Sequence, residues 1–496
     1  MEVFLVFSTL IRTFAIDLGI FSHYDKKIRM KRVIAILLLT AGVLGAIRGT
    51  DFRHDISQLK NVIERDSAQA FNTAERLLKR DRKNPDLAAA IGQTFLKANR
   101  LADAEYFYDK GYHMYRISPT VINLAGDIAL AKNDFKQAEY HYGRAIYFDR
   151  RSPEGYFKLA SLYAKDDPEK AVSMLKALKC YRRYTAIDLR IANIYYGANQ
   201  FSEAARTYAA LPPDSLGKED VTNYALSYYF QQQFDSALAV TRQAVPRFPR
   251  HPAVNRMLLY NLTELKQYDE ALDAARKLFH ESDKAEYQYL DYIYYGYALN
   301  GKGRYDDAIA QFNKVMELNP DRKDVAKAIS DAYEKIGDYS HAIEYYQLYV
   351  NRLDDAEKSP YDEFHIGNLY YALGTDSKDG KELTPDKIQA LHEADRQFMK
   401  VDQMRPDSYL GTYWRARTNV ALDPETKQGL ARPYYMKVIE MTEGKSGQQQ
   451  QLMESYKYMA YYYYCKRDKT GCLVYVDKIL DINPTDNYAL QLSGAL

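Results

Sequence analysis

The short stretch from Gly374 to Lys381 is the nearest the sequence comes to a motif that could bind a nucleotide. In phosphate-binding loops of the form GxxxxGK[ST], backbone N–H groups surround the phosphates and a Ser or Thr holds Mg²⁺. Here five residues rather than four separate Gly374 from Gly380, and Glu382 replaces the hydroxyl residue. No apolar strand precedes the stretch, although a phosphate loop requires one. We therefore predict a polar surface loop and no bound nucleotide.

The other residue types that support catalysis or bind metal ions are not grouped along the sequence. The nine histidines are scattered, without the His-Glu-x-x-His or paired-cysteine spacing of zinc sites. His341 and His365 are interpreted as ordinary helix residues. No Gly-x-Ser-x-Gly elbow is present, and acidic residues lie at the spacing of surface ion pairs. We predict no catalytic residue, no metal site and no cofactor, and we do not expect an enzyme.

Two of the three cysteines form one possible pair. Cys465 and Cys472 lie about equally far from a turn at Asp468-Lys469, near the ends of two predicted helices. A disulfide between them is one alternative, because an exported protein resides where disulfides form. The other alternative is two small packed residues. Cys180 is left unpaired in either case.

The composition excludes one class of partner and draws attention to tyrosine. Lys and Arg total 68 against 66 Asp and Glu, a formal net charge of +2, which gives no electrostatic basis for binding nucleic acid. The chain has 47 Tyr against 19 Phe and one Trp. Tyr packs like an apolar residue but keeps a polar tip, so it suits half-buried helix surfaces and binding faces.

Small residues recur at a regular interval. One series of alanines has a period of roughly 34 residues, and a second small residue precedes most of its members by twelve. Large apolar residues follow the second small position by three and the alanine by four, which places them on one helical face. Small residues let two helices pack closely, so the period predicts one helical hairpin per repeat. The alanine series is Ala104, Ala138, Ala171, Ala204, Ala237, Ala271, Ala308 and Ala342.

At these positions the sequence resembles the tetratricopeptide-repeat family. The clearest unit runs from Tyr292 to Pro320 and contains Gly296, Ala308 and Phe312 at the expected places. The resemblance covers about residues 54–484 and implies an all-α, right-handed α-solenoid of about 12 antiparallel helix hairpins. The clearest parts are residues 85–350 and 453–484; an insertion is expected at about 372–386 and a C-terminal capping helix at 485–496.

The resemblance also implies a binding face. In this family the first helix of each hairpin lines a concave groove, through positions six and three before, and one and four after, its small residue. A groove that is mostly aromatic favours an extended peptide or a partner helix, although many of these tyrosines could instead fill space between hairpins. The groove positions are Tyr196, Tyr229, Arg256, Tyr260, Leu290, Tyr297, Tyr361, Phe364, Asn368, Tyr371, Tyr461 and Tyr464, with Asn123 and Asn193 in earlier units.

The residues near Met30 resemble a secretory signal. Lys31 and Arg32 precede a short apolar run, and small residues follow up to Ala46. We predict a signal peptide at 30–46, cleaved after Gly45 or Ala46, and interpret residues 1–29 as the product of a start codon assigned too early. The alternative is an extended N-terminus that anchors in a membrane. No cysteine lies near the apolar run for lipid attachment, so we expect a soluble, exported product, in the periplasm of a host with two membranes.

Two functions remain open at this point. The first is a non-catalytic scaffold that binds other proteins or peptides in the cell envelope. The second is an envelope protein that binds glycans or other nutrients on aromatic platforms. The single tryptophan, Trp414, and the missing lipid-attachment cysteine argue against the second.

Overall fold

In the computed structural model, the described residues are 52–114, 116–181, 185–377 and 382–495. Within these ranges the chain forms 25 α-helices, one short 3₁₀ turn and one short π-helical segment, with no β-strand. The predicted all-α solenoid class is confirmed. Residues 1–29 and the predicted signal peptide at 30–46 lie outside the described residues. The chain divides into two compact units, Met1–Leu265 and Lys266–Leu496.

The described part of the first unit is a stack of helix hairpins. Each odd-numbered helix up to α11 packs against the helix that follows it, and neighbouring hairpins pack on one another. The helices are α1 Arg53–Arg65, α2 Ser67–Arg80, α3 Pro85–Lys97, α4 Leu101–Tyr112, α5 Pro119–Ala131, α6 Phe135–Phe148, α7 Pro153–Tyr163, α8 Pro168–Lys179, α9 Thr185–Gly197, α10 Phe201–Ala209, α11 Lys218–Tyr229, α12 Phe234–Ala244 and α13 Pro252–Glu264.

The second unit follows the same plan. One helix precedes five hairpins, and a short last helix packs on the final hairpin. The helices are α14 Tyr268–Arg276, α15 Tyr289–Gly301, α16 Tyr305–Leu318, α17 Lys323–Ile336, α18 Tyr339–Asn351, α19 Pro360–Thr375, α20 Pro385–Met404, α21 Leu410–Leu422, α22 Arg432–Thr442, α23 Gln449–Cys465, α24 Lys469–Ile482 and α25 Asn487–Gly494.

The helices start and stop where local chemistry requires. At the start of α3, the Asn84 side chain accepts a hydrogen bond from the Leu87 N–H at 3.0 Å, and Pro85 occupies the first helical position. Proline suits that position because its missing N–H would be unpaired there anyway. The same arrangement, a Ser followed by Pro119, begins α5. Proline therefore marks the start of the first helix in these two hairpins.

The turns inside the hairpins repeat as regularly as the alanines. In seven of them a residue with positive φ stands five positions before the small residue of the second helix. Glycine takes this left-handed conformation without strain and asparagine tolerates it, whereas other residues do so less readily. The backbone thus carries a second periodic feature, which fixes how sharply each hairpin closes. These residues are Asn99, Asn133, Asn199, Gln232, Gly303, Gly337 and Arg467.

The two helices of a hairpin meet at a position without a side chain. A Cβ added to Gly126 would lie 2.6 Å from Cδ1 of Tyr142, a ring with no exposed surface. The same contact joins Gly296 to Phe312, at 2.7 Å. No two carbon atoms approach this closely without a clash, so an aromatic ring occupies the space that a side chain would need. This contact explains why small residues precede the alanines by twelve.

The predicted insertion lengthens helices more than it forms a loop. Helix α19 continues to Thr375. Gly374 is buried, and a Cβ added to it would lie 2.6 Å from the Leu391 side chain. Helix α20 has 20 residues. The expected surface loop from Gly374 onward is therefore wrong at its start, because packing against α20 extends α19. Residues 378–381 lie outside the described residues.

In the described part of the chain, every helix is too short or too polar to cross a bilayer.

Replacing Gly126 by Ala should destabilise the first unit, because the new methyl group overlaps the buried Tyr142 ring. Overpacking of this kind costs about 1–3 kcal/mol. Gly143→Ala in α6 is a matched control, since no atom lies within 4 Å of its added Cβ. The control should be neutral or stabilising by up to about 1 kcal/mol, from helix propensity. Urea unfolding followed by circular dichroism measures both; equal midpoints for the two variants would contradict the packing account.

Candidate functional site

The predicted groove residues of the first unit lie mostly within the stack. Tyr229 is 8% exposed and its ring lies 6.4 Å from that of Tyr260, which has no exposed surface. Tyr196 is half-buried, and burial raises its pKa to about 12. Arg256 remains partly exposed. Tyr260 is therefore buried within the stack, and this face of the unit offers little free ring surface.

In the first unit, the charged side chains of Lys158 and Asp127 pair with each other. Lys158 Nζ lies 2.6 and 2.8 Å from the two carboxylate oxygens of Asp127, and the Tyr142 hydroxyl donates to the same carboxylate at 2.7 Å. Burial raises the pKa of Glu154 nearby, although Lys158 opposes the shift. Removing one member of a buried pair costs about 3–5 kcal/mol, so we assign this group to holding α5, α6 and α7 together.

The second unit brings aromatic rings together on α19, α20 and α21. The Trp414 ring lies 5.3 Å from that of Tyr371, 6.0 Å from that of Phe364 and 5.6 Å from that of Phe398. Tyr371, Phe364 and Trp414 are each partly exposed, whereas Phe398 is buried. We call these four residues the ring cluster. Two of them, Phe364 and Tyr371, are predicted groove residues, and a third predicted residue, Asn368, is partly exposed on the same helix.

The ring cluster packs on the contact between glycine and aromatic ring that joins α19 to α20. A Cβ added to Gly367 would lie 2.6 Å from Cε1 of Phe398, so the Phe398 ring sits directly on the glycine backbone. The Trp414 ring stacks on Phe398 with an interplanar angle of 30°. Since Phe398 has no freedom to move toward Gly367, it fixes the plane on which Trp414 rests.

Charge borders the ring cluster on the side of α23. The Arg417 guanidinium lies 4.8 Å from the centre of the Trp414 ring, within the range of a cation–π contact. Its Nε is 3.5 Å from the Glu454 carboxylate. The hydroxyls of Tyr413 and Tyr435 donate to that carboxylate at 2.7 and 2.9 Å. Burial, with the carboxylate adding to it, raises the pKa of Tyr413, so the phenol remains a donor at neutral pH.

The other predicted groove residues of the second unit are dispersed. Tyr361 is 53% exposed and stacks on His365, while Tyr461 and Tyr464 are exposed on α23. Tyr297 packs edge-on against the buried Phe312, and Leu290 is itself buried. Leu290, like Tyr260, therefore contributes to packing and presents no surface to a ligand.

Comparison with known proteins agrees with this architecture. Two family models, each described as a tetratricopeptide repeat, match residues 119–355 and 64–120. Together the matches extend over residues 64–355, which is more than half of the chain. The chain belongs to the tetratricopeptide-repeat family. Repeats of this family generally serve as non-catalytic scaffolds for protein–protein interaction.

Solved tetratricopeptide-repeat proteins resemble parts of the chain. The C-terminal part of such a protein from Cytophaga hutchinsonii is 28% identical over 55% of this chain and 98% of its own, with a TM-score of 0.43. A second, from Parabacteroides merdae, is 15% identical over 60% and 98%, with a TM-score of 0.32. The Cut9–Hcn1 hetero-tetramer of APC/C is 12% identical over 95% and 99%, with a TM-score of 0.33. A search of curated proteins found no match.

Sequence reasoning missed Trp414 and Arg417. The repeat offsets select Arg417, whereas Trp414 lies two positions before Ala416, outside those offsets. Ala416 is the small residue of α21, with no exposed surface, and Arg417 follows it by one, a groove position. The separation between Ala416 and Ala431 exceeds the usual twelve by three positions, because Asp423-Pro424-Glu425 is added between them. These three added residues changed the spacing between the two small residues, on which the groove prediction relied.

The cysteines of this tetratricopeptide-repeat protein are free in the structure. Cys465 and Cys180 are exposed, whereas Cys472 is buried at the alanine position of α24. Burial raises the pKa of the Cys472 thiol, which makes it a poor nucleophile. The bridge between Cys465 and Cys472 stays a prediction about the oxidised protein.

Among the described residues, one group of three side chains has the chemistry of a metal site. Asp331 and Glu334 on α17 lie beside His365 on α19, with a possible ligand atom of each within 4.8 Å of the others. Tyr361, the exposed groove residue, stacks on this histidine at 6.0 Å.

Because the chain has a single tryptophan, its fluorescence reports on the ring cluster directly. Tyr371→Ala removes the ring 5.3 Å from Trp414, so emission should shift to the red and quenching by acrylamide should increase. Tyr361→Ala is the control, because its ring lies on the same helix but contacts His365. Quenching that is equal in both variants and the unmodified chain would show that Tyr371 does not cover Trp414.

Proposed function

We propose that this protein is a non-catalytic scaffold that binds a peptide segment or partner helix across the ring cluster of its second unit. The observation that carries the proposal is the Trp414 ring, partly exposed between Phe364 and Tyr371 and bordered by Arg417. Trp, Tyr and Arg are the residues that most often dominate binding energy at protein interfaces. Here they stand on adjacent first helices, the ones that line the groove in this family.

The cluster is preorganised for binding. Phe398 and Gly367 fix the Trp414 plane, and the rings themselves have few rotamers, so little conformational entropy is lost when a partner covers them. A rigid aromatic surface favours an apolar or aromatic side chain of the partner. The family's general role in protein interaction supports a peptide as the source of that side chain.

The charged side chains beside the ring cluster affect which partner residues can bind there. Arg417 and Glu454 are each about one-third exposed, at 37% and 36%, and their 3.5 Å separation is a loose pairing. A partner carboxylate can therefore reach Arg417 without displacing a buried ion pair. We infer that the preferred peptide carries an acidic residue next to its apolar anchor.

Binding can be tested with a peptide library displayed on phage or beads and panned against the full chain. Trp414→Ala and Tyr371→Ala should each weaken the selected peptide at least about thirtyfold, since hot-spot truncation costs about 2 kcal/mol or more. Arg417→Ala should weaken acidic peptides selectively. Tyr147→Ala on α6 is the control, because this 71% exposed ring lies outside the cluster.

Two results would reject this site. One is a selected peptide whose affinity for the folded Trp414→Ala and Tyr371→Ala variants is unchanged. The other is a library that yields no peptide at all. Circular dichroism and urea midpoints equal to those of the parent chain establish that each variant is folded before its binding is judged.

We place the scaffold in the cell envelope, a proposal supported by the signal-like segment from Met30 to Ala46. The described residues carry no helix able to cross a bilayer, which is compatible with export. The mature chain, isolated from the fractionated cells of its host, should begin at Ala46 or Ile47. N-terminal sequencing measures this; recovery from the cytosol with residues before Ala46 intact would place the protein elsewhere.

One observation favours the alternative, an envelope protein that binds glycans. Trp414 is partly exposed at the centre of the ring cluster, where a flat sugar ring can pack against the aromatic surface. A glycan array separates the two functions: a glycan bound by the parent chain and lost in Trp414→Ala supports the alternative, and peptide capture alone supports the scaffold.

A further inference from the structure

The second unit holds one nitrogen and two carboxylate groups at a single point between α17 and α19. Asp331 and Glu334 are three residues apart, so they project from the same face of α17. His365 approaches from α19, and one possible ligand atom of each residue lies within 4.8 Å of the other two. The group is a product of the fold, since the acidic pair and the histidine belong to different hairpins.

We propose that Asp331, Glu334 and His365 bind a divalent transition-metal ion, with Zn²⁺ as the best match. The proposal goes beyond the scaffold function and does not depend on it, because the metal is bound by this chain alone.

The separation of the imidazole and the carboxylate suits two ligands of one ion better than a hydrogen bond. His365 Nε2 lies 3.6 Å from the Glu334 carboxylate, which is too long for a hydrogen bond. Two ligands about 2.0–2.1 Å from a tetrahedral zinc ion stand about 3.4 Å apart. The pair is therefore close to the spacing that a shared ion requires.

The Nε2 atom of His365 also has no hydrogen-bond partner, although it is shielded from water. A buried polar atom without a partner is destabilising, and an ion at this point would remove that cost. The neighbouring rings of Tyr346 and Tyr361, at 4.4 and 6.0 Å, hold the imidazole in place.

One cation already lies near the group. Lys327 Nζ is 3.0 Å from one carboxylate oxygen of Asp331, which leaves the second oxygen for an ion. The ammonium repels an incoming metal ion, so Lys327 weakens the site without blocking it. Removing the charge of Lys327 should therefore strengthen metal binding.

The donor set selects the kind of ion. Mg²⁺ and Ca²⁺ prefer sites built only of oxygen, whereas one imidazole with two carboxylates suits Zn²⁺ and its neighbours. Asp331 and Glu334 are 43% and 40% exposed, so an ion can enter from solvent. They follow Ser330 by one and four, which are groove positions, and three protein ligands leave one position of a tetrahedral shell open toward the groove.

Calorimetric titration of the tag-free full chain with ZnCl₂, after treatment with a chelator, tests the site. We expect one ion per chain at this site. Glu334→Gln keeps the shape of the side chain and should weaken binding at least about tenfold, as His365→Ala should. Lys327→Met should tighten binding. His341→Ala is the matched control, because this histidine pairs with Asp338 outside the group and its loss should change nothing.

Substitution with Co²⁺ gives an independent readout, since its visible absorption depends on a nitrogen ligand and on the coordination number. The bands should be present in the parent chain and in His341→Ala, and absent in His365→Ala. The proposal is overturned by Zn²⁺ affinity that is equal in the parent chain and Glu334→Gln, by loss of binding in His341→Ala, or by the absence of binding heat. Glu334→Gln decides the case even where His365→Ala is destabilised.

Discussion

The contact between an aromatic ring and a helix position that lacks a side chain is the interaction on which this fold depends. Tyr142 on Gly126, Phe312 on Gly296 and Phe398 on Gly367 each let two helices approach at a distance that any larger residue would forbid. The ring is buried, so the contact also supplies much of the apolar surface that a single hairpin can remove from water. In the hairpin of α19 and α20, the Phe398 ring packs on Gly367 and the Trp414 ring packs on Phe398. The ring cluster is therefore rigid because Gly367 has no side chain.

Repetition of this contact explains why the period could be found in the sequence. Each hairpin needs its small residue, its ring and its tight turn at fixed separations, because the geometry of two packed helices fixes those separations. The turn residues show how strict this is. Gln232 and Arg467 take the left-handed conformation in the same place where other repeats use Asn or Gly, against their own preference. Packing of the hairpin overrides local propensity there, which only the structure reveals.

The sequence predicted the helices, their hairpin pairing and two members of the ring cluster, because all of these follow from local spacing. It could not predict what depends on contacts between repeats. Tyr260 and Leu290 occupy groove positions by offset but are buried, since neighbouring side chains cover them. Arg417 was missed because three added residues change the distance between Ala416 and Ala431. Trp414 was missed because it lies two positions before Ala416, outside the groove offsets. The acidic pair and His365 come together from separate hairpins, through the stacking of one first helix near another, and no motif in the sequence marks that.

The groove positions of the second unit show how one scaffold can carry different chemistry. Groove positions carry aromatic rings in α19, as Phe364 and Tyr371, and carboxylates in α17, as Asp331 and Glu334. In α21 they carry a phenol and a guanidinium, as Tyr413 and Arg417. Asp331, Glu334 and Arg417 are each more than one-third exposed, so side chains at such positions can vary with little loss of packing. On the proposed function, a ligand that spans α17 to α21 would meet carboxylates, rings and a guanidinium in that order. Selectivity for such a ligand would then depend on the order of the repeats, which no single repeat determines.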